Sequence, residues 1–288
     1  MIKAIIITTK GDQIQLDLEM FTFSGGESHV KIKNVGAITD LIAAANIYAY
    51  ITSAESFIST LLLADAIQRL PAFLPGSSRL LLEMPYIPGA RQDRPCEEGE
   101  PLSAGVYARL LNTAGFNRVL VEDPHSDVAP ALIEGVAVRN QYEAIIPMLG
   151  DYIKRENIAL VSPDAGAQKK VLKLSQALGG VDIIKADKVR ETKEGKIVDT
   201  KVYDAVTGRK VLIVDDILDG GGTFIPLAQA LREKGAVQVD LYITHGIFSK
   251  GVDIFDGVID NIYSRNTWAI NTDGRNTKGI LKDAPGNN

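Results

Sequence analysis

The chain has 288 residues, 45% hydrophobic and 23% charged, with a formal net charge of -5. That length supports one large domain or two medium ones with covered cores, and the composition is that of an ordinary soluble globular protein. The acidic balance argues against a general nucleic-acid binder, yet it leaves room for phosphate binding through backbone amides and a few local cations. A single cysteine, Cys96, rules out an intrachain disulfide and reads as an incidental loop thiol.

The amino terminus, MIKAIIITTKGDQIQLDL, has a short apolar run followed by polar residues. It reads as a first strand, Lys3–Thr8, and not as a cleaved leader. Further strands are expected at Val30–Lys33, Ile47–Ile51, Arg79–Met84 and Arg118–Val121. The longest apolar run, LIAAANIYAYI, is about half the ~20 residues a spanning helix requires. No membrane span is therefore expected, and the cytoplasm is the expected location. Leu63, Ile67 and Leu70 form one helical stripe; Tyr107, Leu110, Leu111 and Ala114 form another, closed by Gly115.

The alternation repeats in the second half. Ile158–Val161 reads as a strand, and Val171, Leu174 and Leu178 mark a helix ending at Gly179 and Gly180. Val181–Lys185, Lys210–Val214 and Val239–Thr244 are further strands. Phe224, Leu227, Ala228 and Leu231 give a helix that starts near Pro226 and stops at Gly235. The tail from Asn271 to Asn288 is polar and reads as loose. Strands alternating with helices predict an α/β fold with largely parallel sheets. The similar rhythm of the halves predicts two domains, residues 1–148 and 149–288.

The most informative stretch is VLIVDDILDGGGTFIPLAQALREKGA, Val211 to Ala236. A buried strand is expected to end in Asp215 and Asp216, followed by a Gly-rich turn and a helix just after Thr223. Three glycines let the backbone turn tightly and let amides face an anion, while the helix start adds unpaired N–H groups and a positive dipole end. Asp219, Gly220, Gly221, Gly222 and Thr223 can thus hold a phosphate without a lysine in the loop. The paired carboxylates cannot favour a phosphate, so their natural task is to accept hydrogen bonds from sugar hydroxyls. No GxxxxGK[ST] loop occurs in the chain.

This segment resembles the phosphoribosyl-binding motif shared by type I phosphoribosyltransferases and ribose-phosphate diphosphokinases. Other segments resemble the diphosphokinases in particular, in the family's order: FSGGESHVKI, MPYIPGARQDRPCEEGEPLSAGVYARLLNTAGFNRVLVEDPHSD, VSPDAGAQKK and ADKVR. The resemblance covers about Phe23 to Ser249. It implies two similar domains of the type I phosphoribosyltransferase kind, the first on the ATP side and the second on the ribose 5-phosphate side. It also implies an enzyme of nucleotide biosynthesis that makes phosphoribosyl diphosphate from ATP and ribose 5-phosphate.

Particular residues acquire roles through that resemblance. Arg91 and Gln92 of ARQDR, residue types suited to phosphate forks and base edges, are implied to contact ATP. Phe23 and Glu27 belong to a family loop that reaches a neighbouring subunit's adenine, which implies a homo-oligomer, at least a dimer. His125 and Asp164, each just past a strand, are implied ligands of a Mg²⁺ ion that travels with ATP. Lys188 and Arg190 are the implied catalytic cations of a loop that closes over the reacting phosphates. His245, in ITHG, reads as structural or as a residue that supports the site from behind. The chain departs from the family pattern at Gly25, where an aspartate is usual, and at Val189, where an arginine is usual; it is also shorter at its carboxyl end than many relatives. Two other readings stay open: a phosphoribosyltransferase, which would share only the Val211–Thr223 loop, and a non-catalytic regulatory paralogue that binds the sugar phosphate.

Overall fold

The computed structural model describes residues 1–190, 197–268 and 281–282, with side chains described for 1–187 and 200–268. The chain divides into two compact units, Met1–Arg139 and Asn140–Asn288.

In the first unit the chain runs through β1 (Ile2–Thr8), β2 (Gln13–Gln15), β3 (Leu18–Thr22), β4 (Ser28–Ile32), β5 (Ile42–Ala49), α1 (Ala54–Gln68), β6 (Arg79–Glu83), α2 (Ser103–Asn112), β7 (Arg118–Glu122), α3 (Val128–Ala131) and β8 (Val136–Arg139). Six strands form a sheet in the order β2-β1-β5-β6-β7-β8. β5 to β8 run parallel, while β1 is antiparallel to both its neighbours. β3 and β4 make a separate antiparallel hairpin. Helix α1 starts at Ser53, whose side chain accepts from the Ser56 amide while the Ser56 hydroxyl accepts from the Ser53 amide. This reciprocal cap satisfies two orphan donors of the first turn.

The expected stripe of α1 is found: Leu63 and Ile67 are buried, and Leu70 is buried just past the helix end. That of α2 is found in part: Leu111 is buried, and Tyr107 and Ala114 pack against the same core. Ala104, Ala108 and Leu111 face the core, whereas Leu110 is exposed. The Tyr107 ring meets Phe57 of α1 edge-on at 5.0 Å.

The second unit contains α4 (Gln141–Arg155), β9 (Ala159–Ser162), α5 (Ala165–Ala177), β10 (Ile183–Arg190), β11 (Ile197–Val202), β12 (Lys210–Leu218), α6 (Phe224–Glu233), β13 (Gln238–Gly246), β14 (Asn261–Thr267) and β15 (Leu281–Lys282). Its sheet order is β11-β10-β9-β12-β13-β14-β15. All neighbours are parallel except β10 with β11. The chain is thus α/β, with largely parallel sheets flanked by helices. Val211 and Ile213 of β12 pack with α6, while Leu212 and Val214 pack with α5, so the central strand is apolar on both faces. Helix α4 spans residue 148, and its Ile145, Leu149 and Ile153 all belong to the second unit's core. The division between units accordingly falls before this helix. The tail from Asn271 lies outside the described residues apart from β15.

At the start of β13, Asp240 is fully buried. Its carboxylate accepts from Gln238 Nε2 and Asn261 Nδ2, each at 2.7 Å, and from the Tyr152 hydroxyl at 3.2 Å. Burial pushes its pKa up, opposed by those hydrogen bonds. The folded protein therefore holds this proton more tightly than the unfolded chain does. The stability it contributes is complete below the unfolded value of about 3.9 and is lost as pH rises through the raised folded value. Asp240→Asn removes this titration. Urea unfolding across pH 4 to 7 should show the variant gaining stability relative to the parent as pH rises; a constant difference would contradict the assignment.

Candidate functional site

In the second unit the parallel strands follow one order, β10-β9-β12-β13-β14: the second strand in the chain lies outside the first, and the third lies on its other side. The order reverses between β9 and β12, and the carboxyl ends of the strands at such a reversal are the place where doubly wound sheets bind ligands. Asp164 follows β9, and Asp219 to Thr223 follow β12.

β12 is longer than the sequence suggested. Asp215 and Asp216 lie within it, because pairing with β13 continues through Ile217↔His245 and Leu218↔Gly246. Successive side chains on a strand point to opposite faces. Asp216 is buried, and Lys170 of α5 donates to its Oδ2 at 3.2 Å. Asp215 is half-buried, and its Oδ1 accepts from the Asp216 amide at 2.9 Å.

The loop after β12 makes a tight bend into the start of α6. Gly221 adopts φ +76°, and a Cβ there would stand 2.9 Å from Ile254 and Phe255, so this position requires glycine. Gly222 has nothing within 4 Å of where a Cβ would be. Phe224 and Ile225 both donate to the Gly221 carbonyl, closing the first turn of α6. Among the described residues, the amides of Gly220, Gly221, Gly222 and Thr223 donate to no backbone carbonyl. They share one bend with the positive end of α6.

Asp164 is extended at the head of α5, and its Oδ1 accepts from the Ala167 amide at 3.0 Å. This N-cap explains why the helix begins there. The backbones of Lys188 and Arg190 lie on β10, where Lys188 pairs with Thr200 and Arg190 with Ile197. Their side chains lie outside those described. His245 is buried on β13, opposite Ile217 and Asn266.

In the first unit, Arg91 and Gln92 are exposed in the long loop after β6. The Gln92 backbone is fixed at both ends: its amide donates to Gly89 O at 2.8 Å, and its carbonyl accepts from Ala104 at 3.2 Å. Cys96 of the same loop is exposed. His125 is exposed after β7. Beside it, Asp123 is buried with φ +37°, and its amide donates to Arg139 O at 2.8 Å. Arg139 also bonds the buried Glu122 carboxylate, so β8 clamps the strand end that carries the histidine. His125 and Asp164 thus belong to different units.

Phe23 and Glu27 face each other across the β3–β4 turn, where the Phe23 amide donates to Glu27 O at 2.9 Å. The Glu27 carboxylate leans over Gly25, 2.6 Å from where a Cβ would stand. Sequence reasoning missed that Phe23 joins an exposed aromatic group: Phe21 lies 4.9 Å away and His29 5.6 Å, measured between ring centres. The alternation of Phe21, Thr22 and Phe23 carried that signal. It also missed Lys170, whose pairing with Asp216 bridges elements distant in the chain.

Among the described residues no helix is long and apolar enough to cross a membrane. Residues 140–258 match the phosphoribosyl transferase domain family. A ribose-phosphate pyrophosphokinase of Corynebacterium efficiens is 32% identical over 232 residues, covering 78% of this chain and 69% of that protein. One from Ralstonia nicotianae is 33% identical over 262 residues, covering 87% of this chain and 78% of its own length. The crystal structure of phosphoribosylpyrophosphate synthetase from Mycobacterium smegmatis superposes with a TM-score of 0.75 at 25% identity, covering 93% of this chain and 86% of that one. Identity at this level, extending through both units and well beyond the shared sugar-phosphate loop, makes this chain an enzyme of the ribose-phosphate pyrophosphokinase family.

Proposed function

We propose that this enzyme transfers the β,γ-diphosphoryl group of ATP to the C1 hydroxyl of ribose 5-phosphate. The anomeric oxygen forms a bond to the β-phosphorus, the bond from that phosphorus to the α,β-bridging oxygen breaks, and AMP leaves with that oxygen. The hydroxyl proton passes to solvent or to a base not assigned among these residues. The observation that carries this reading is the Asp215–Thr223 segment, where two strand carboxylates precede a bend at a helix start whose Gly220–Thr223 amides donate to no backbone carbonyl among the described residues.

Asp219 to Thr223 hold the 5-phosphate, and Asp215 with Asp216 orient the sugar. Lys170 keeps the buried Asp216 carboxylate compensated and fixed in direction. Asp215, on the opposite face and less buried, is the better placed of the two to accept from a hydroxyl. On the ATP side, the pinned Gln92 backbone sets where Arg91 and Gln92 project. Phe23 offers a ring for an adenine face, and with Glu27 it serves a neighbouring copy in a homo-oligomer of at least two chains.

Asp164 offers the carboxylate oxygen that Mg²⁺ prefers: the ion is bound through one or two carboxylates plus substrate phosphates and keeps several waters. A Mg²⁺ ion held at Asp164 would neutralise phosphate charge during transfer. Lys188 and Arg190 stabilise charge on the transferred group, since positioning and electrostatics dominate phosphoryl-type transfer. Incubation with ATP, ribose 5-phosphate and magnesium, followed by phosphorus NMR, tests the reading. AMP with a new diphosphate supports it. Formation of ADP identifies an ordinary kinase, and no turnover favours the non-catalytic paralogue.

Lys188→Ala or Arg190→Ala should cut turnover by roughly 10²–10⁵-fold, the range for lost transition-state cations, with much smaller changes in substrate affinity. A double variant that keeps half its activity rejects the assignment.

Gly25 supplies no side chain to accept from the adenine amino group, and the Glu27 carboxylate occupies the space beside it. Gly25→Asp makes the Glu27 side chain swing away and adds an acceptor that would repel a guanine carbonyl. The ratio of kcat/KM for ATP over GTP should rise roughly 5- to 150-fold, equivalent to the about 1–3 kcal/mol of a hydrogen bond to a charged group. A parent enzyme that already rejects GTP as strongly as the variant shows that adenine is read elsewhere.

A further inference from the structure

Residues 247–251 pack against the base of the Gly-rich loop. The Ile247 amide donates to Leu218 O at 2.7 Å, and the Phe248 amide reaches the same carbonyl at 3.4 Å. Phe248 adopts φ +53°, and the Gly251 amide closes on Phe248 O at 2.9 Å. This tight turn lays Lys250 along Gly220. Its Cε and Cδ stand 3.4 and 3.5 Å from where a Gly220 Cβ would be, with Ser249 Oγ also at 3.5 Å. The ammonium lies one C–N bond, ~1.45 Å, beyond Cε. The side chain is exposed, so its charge is not committed to the core.

The charge balance of the loop calls for such a group. A helix start contributes about half a positive charge, whereas a phosphate monoester carries about -1.5 to -2 at pH 7. Asp215, Asp216 and Asp219 add three carboxylates to the same segment. Lys170 is paired with Asp216 on the α5 side of the sheet. A full cation on the outer wall of the loop offsets what amides alone leave uncompensated.

We propose that Lys250 is a binding residue for the 5-phosphate of the sugar substrate, its ammonium forming the outer wall of the Gly220–Thr223 cradle. The assignment rests on the sugar-phosphate reading above. Phosphate recognition is then shared between a set of backbone amides and one exposed cation delivered by a sequence-distant loop. That cation makes affinity for the sugar phosphate depend on ionic strength, and leaves affinity for ATP unaffected.

The test uses Lys250→Met and Lys250→Arg in the full chain. Titration of ribose 5-phosphate is followed by calorimetry at two salt concentrations, and KM for both substrates is measured with kcat. Lys250→Met should bind ribose 5-phosphate roughly 10- to 100-fold more weakly, the range of a charge-assisted hydrogen bond. Its affinity should depend less on salt, with kcat and the KM for ATP nearly unchanged. Lys250→Arg should restore most of the loss. Equal affinity of Lys250→Met and a parent that does bind the sugar phosphate overturns the role of Lys250 alone. A parent that binds no ribose 5-phosphate overturns the sugar-phosphate reading, and this assignment with it.

Discussion

The parallel pairing of β9 with β12, Ala159 against Val211 through Val161 against Ile213, is the constraint on which the second unit depends. Parallel neighbours cannot be joined by a tight turn, so the chain between them must leave the sheet and return. It does so through α5, β10 and β11, and the return sets β12 on the opposite side of β9 from β10. The two strand ends at that reversal carry the Asp164 cap on one side and the Asp215–Thr223 segment on the other. Had β12 been added beyond β10, these groups would be separated by the width of a strand. The apolar run Val211–Val214 enforces the arrangement, since a strand buried on both faces is stable only between neighbours and under helices.

Much of this arrangement was legible in the residues. The runs at Arg79, Arg118, Lys210 and Val239 each begin strands within a residue or two of the sequence reading. The glycines at 115, 179, 180 and 235 all adopt positive φ, as expected of residues that end helices. The Gly-rich turn and the helix at Phe224 lie where the local chemistry put them. Turns, caps and buried runs are written locally, which is why they could be read.

What escaped reading depends on partners distant in the chain. Asp215 and Asp216 are poor strand formers, so the strand was expected to stop there. Pairing with Ile243 to Gly246 of β13 carries it on to Leu218. Leu110 looked like a core residue, but the buried positions of the helix are Ala104, Ala108 and Leu111, and Leu110 is exposed. Helix α4 carries Pro147 and Gly150, which concealed it, yet Asn140 and Glu143 form a capping box that marks its start. Neither Lys170 beside Asp216 nor Lys250 beside Gly220 lies near its partner in sequence. No local pattern announces such a contact.

The three glycines after Asp219 are alike in sequence and unlike in surroundings. Gly221 is confined by Ile254 and Phe255 and by its backbone angle, whereas a methyl group at Gly222 would meet nothing and one at Gly220 would make only ordinary contact. Folding therefore demands glycine at one of the three positions. At the other two, under the proposed sugar-phosphate reading, the demand for glycine would come from an anion approaching the backbone closely. Drift at those two sites would go unnoticed by stability and be seen only by the ligand. A chain that had abandoned its substrate should lose those two glycines first and keep Gly221 longest.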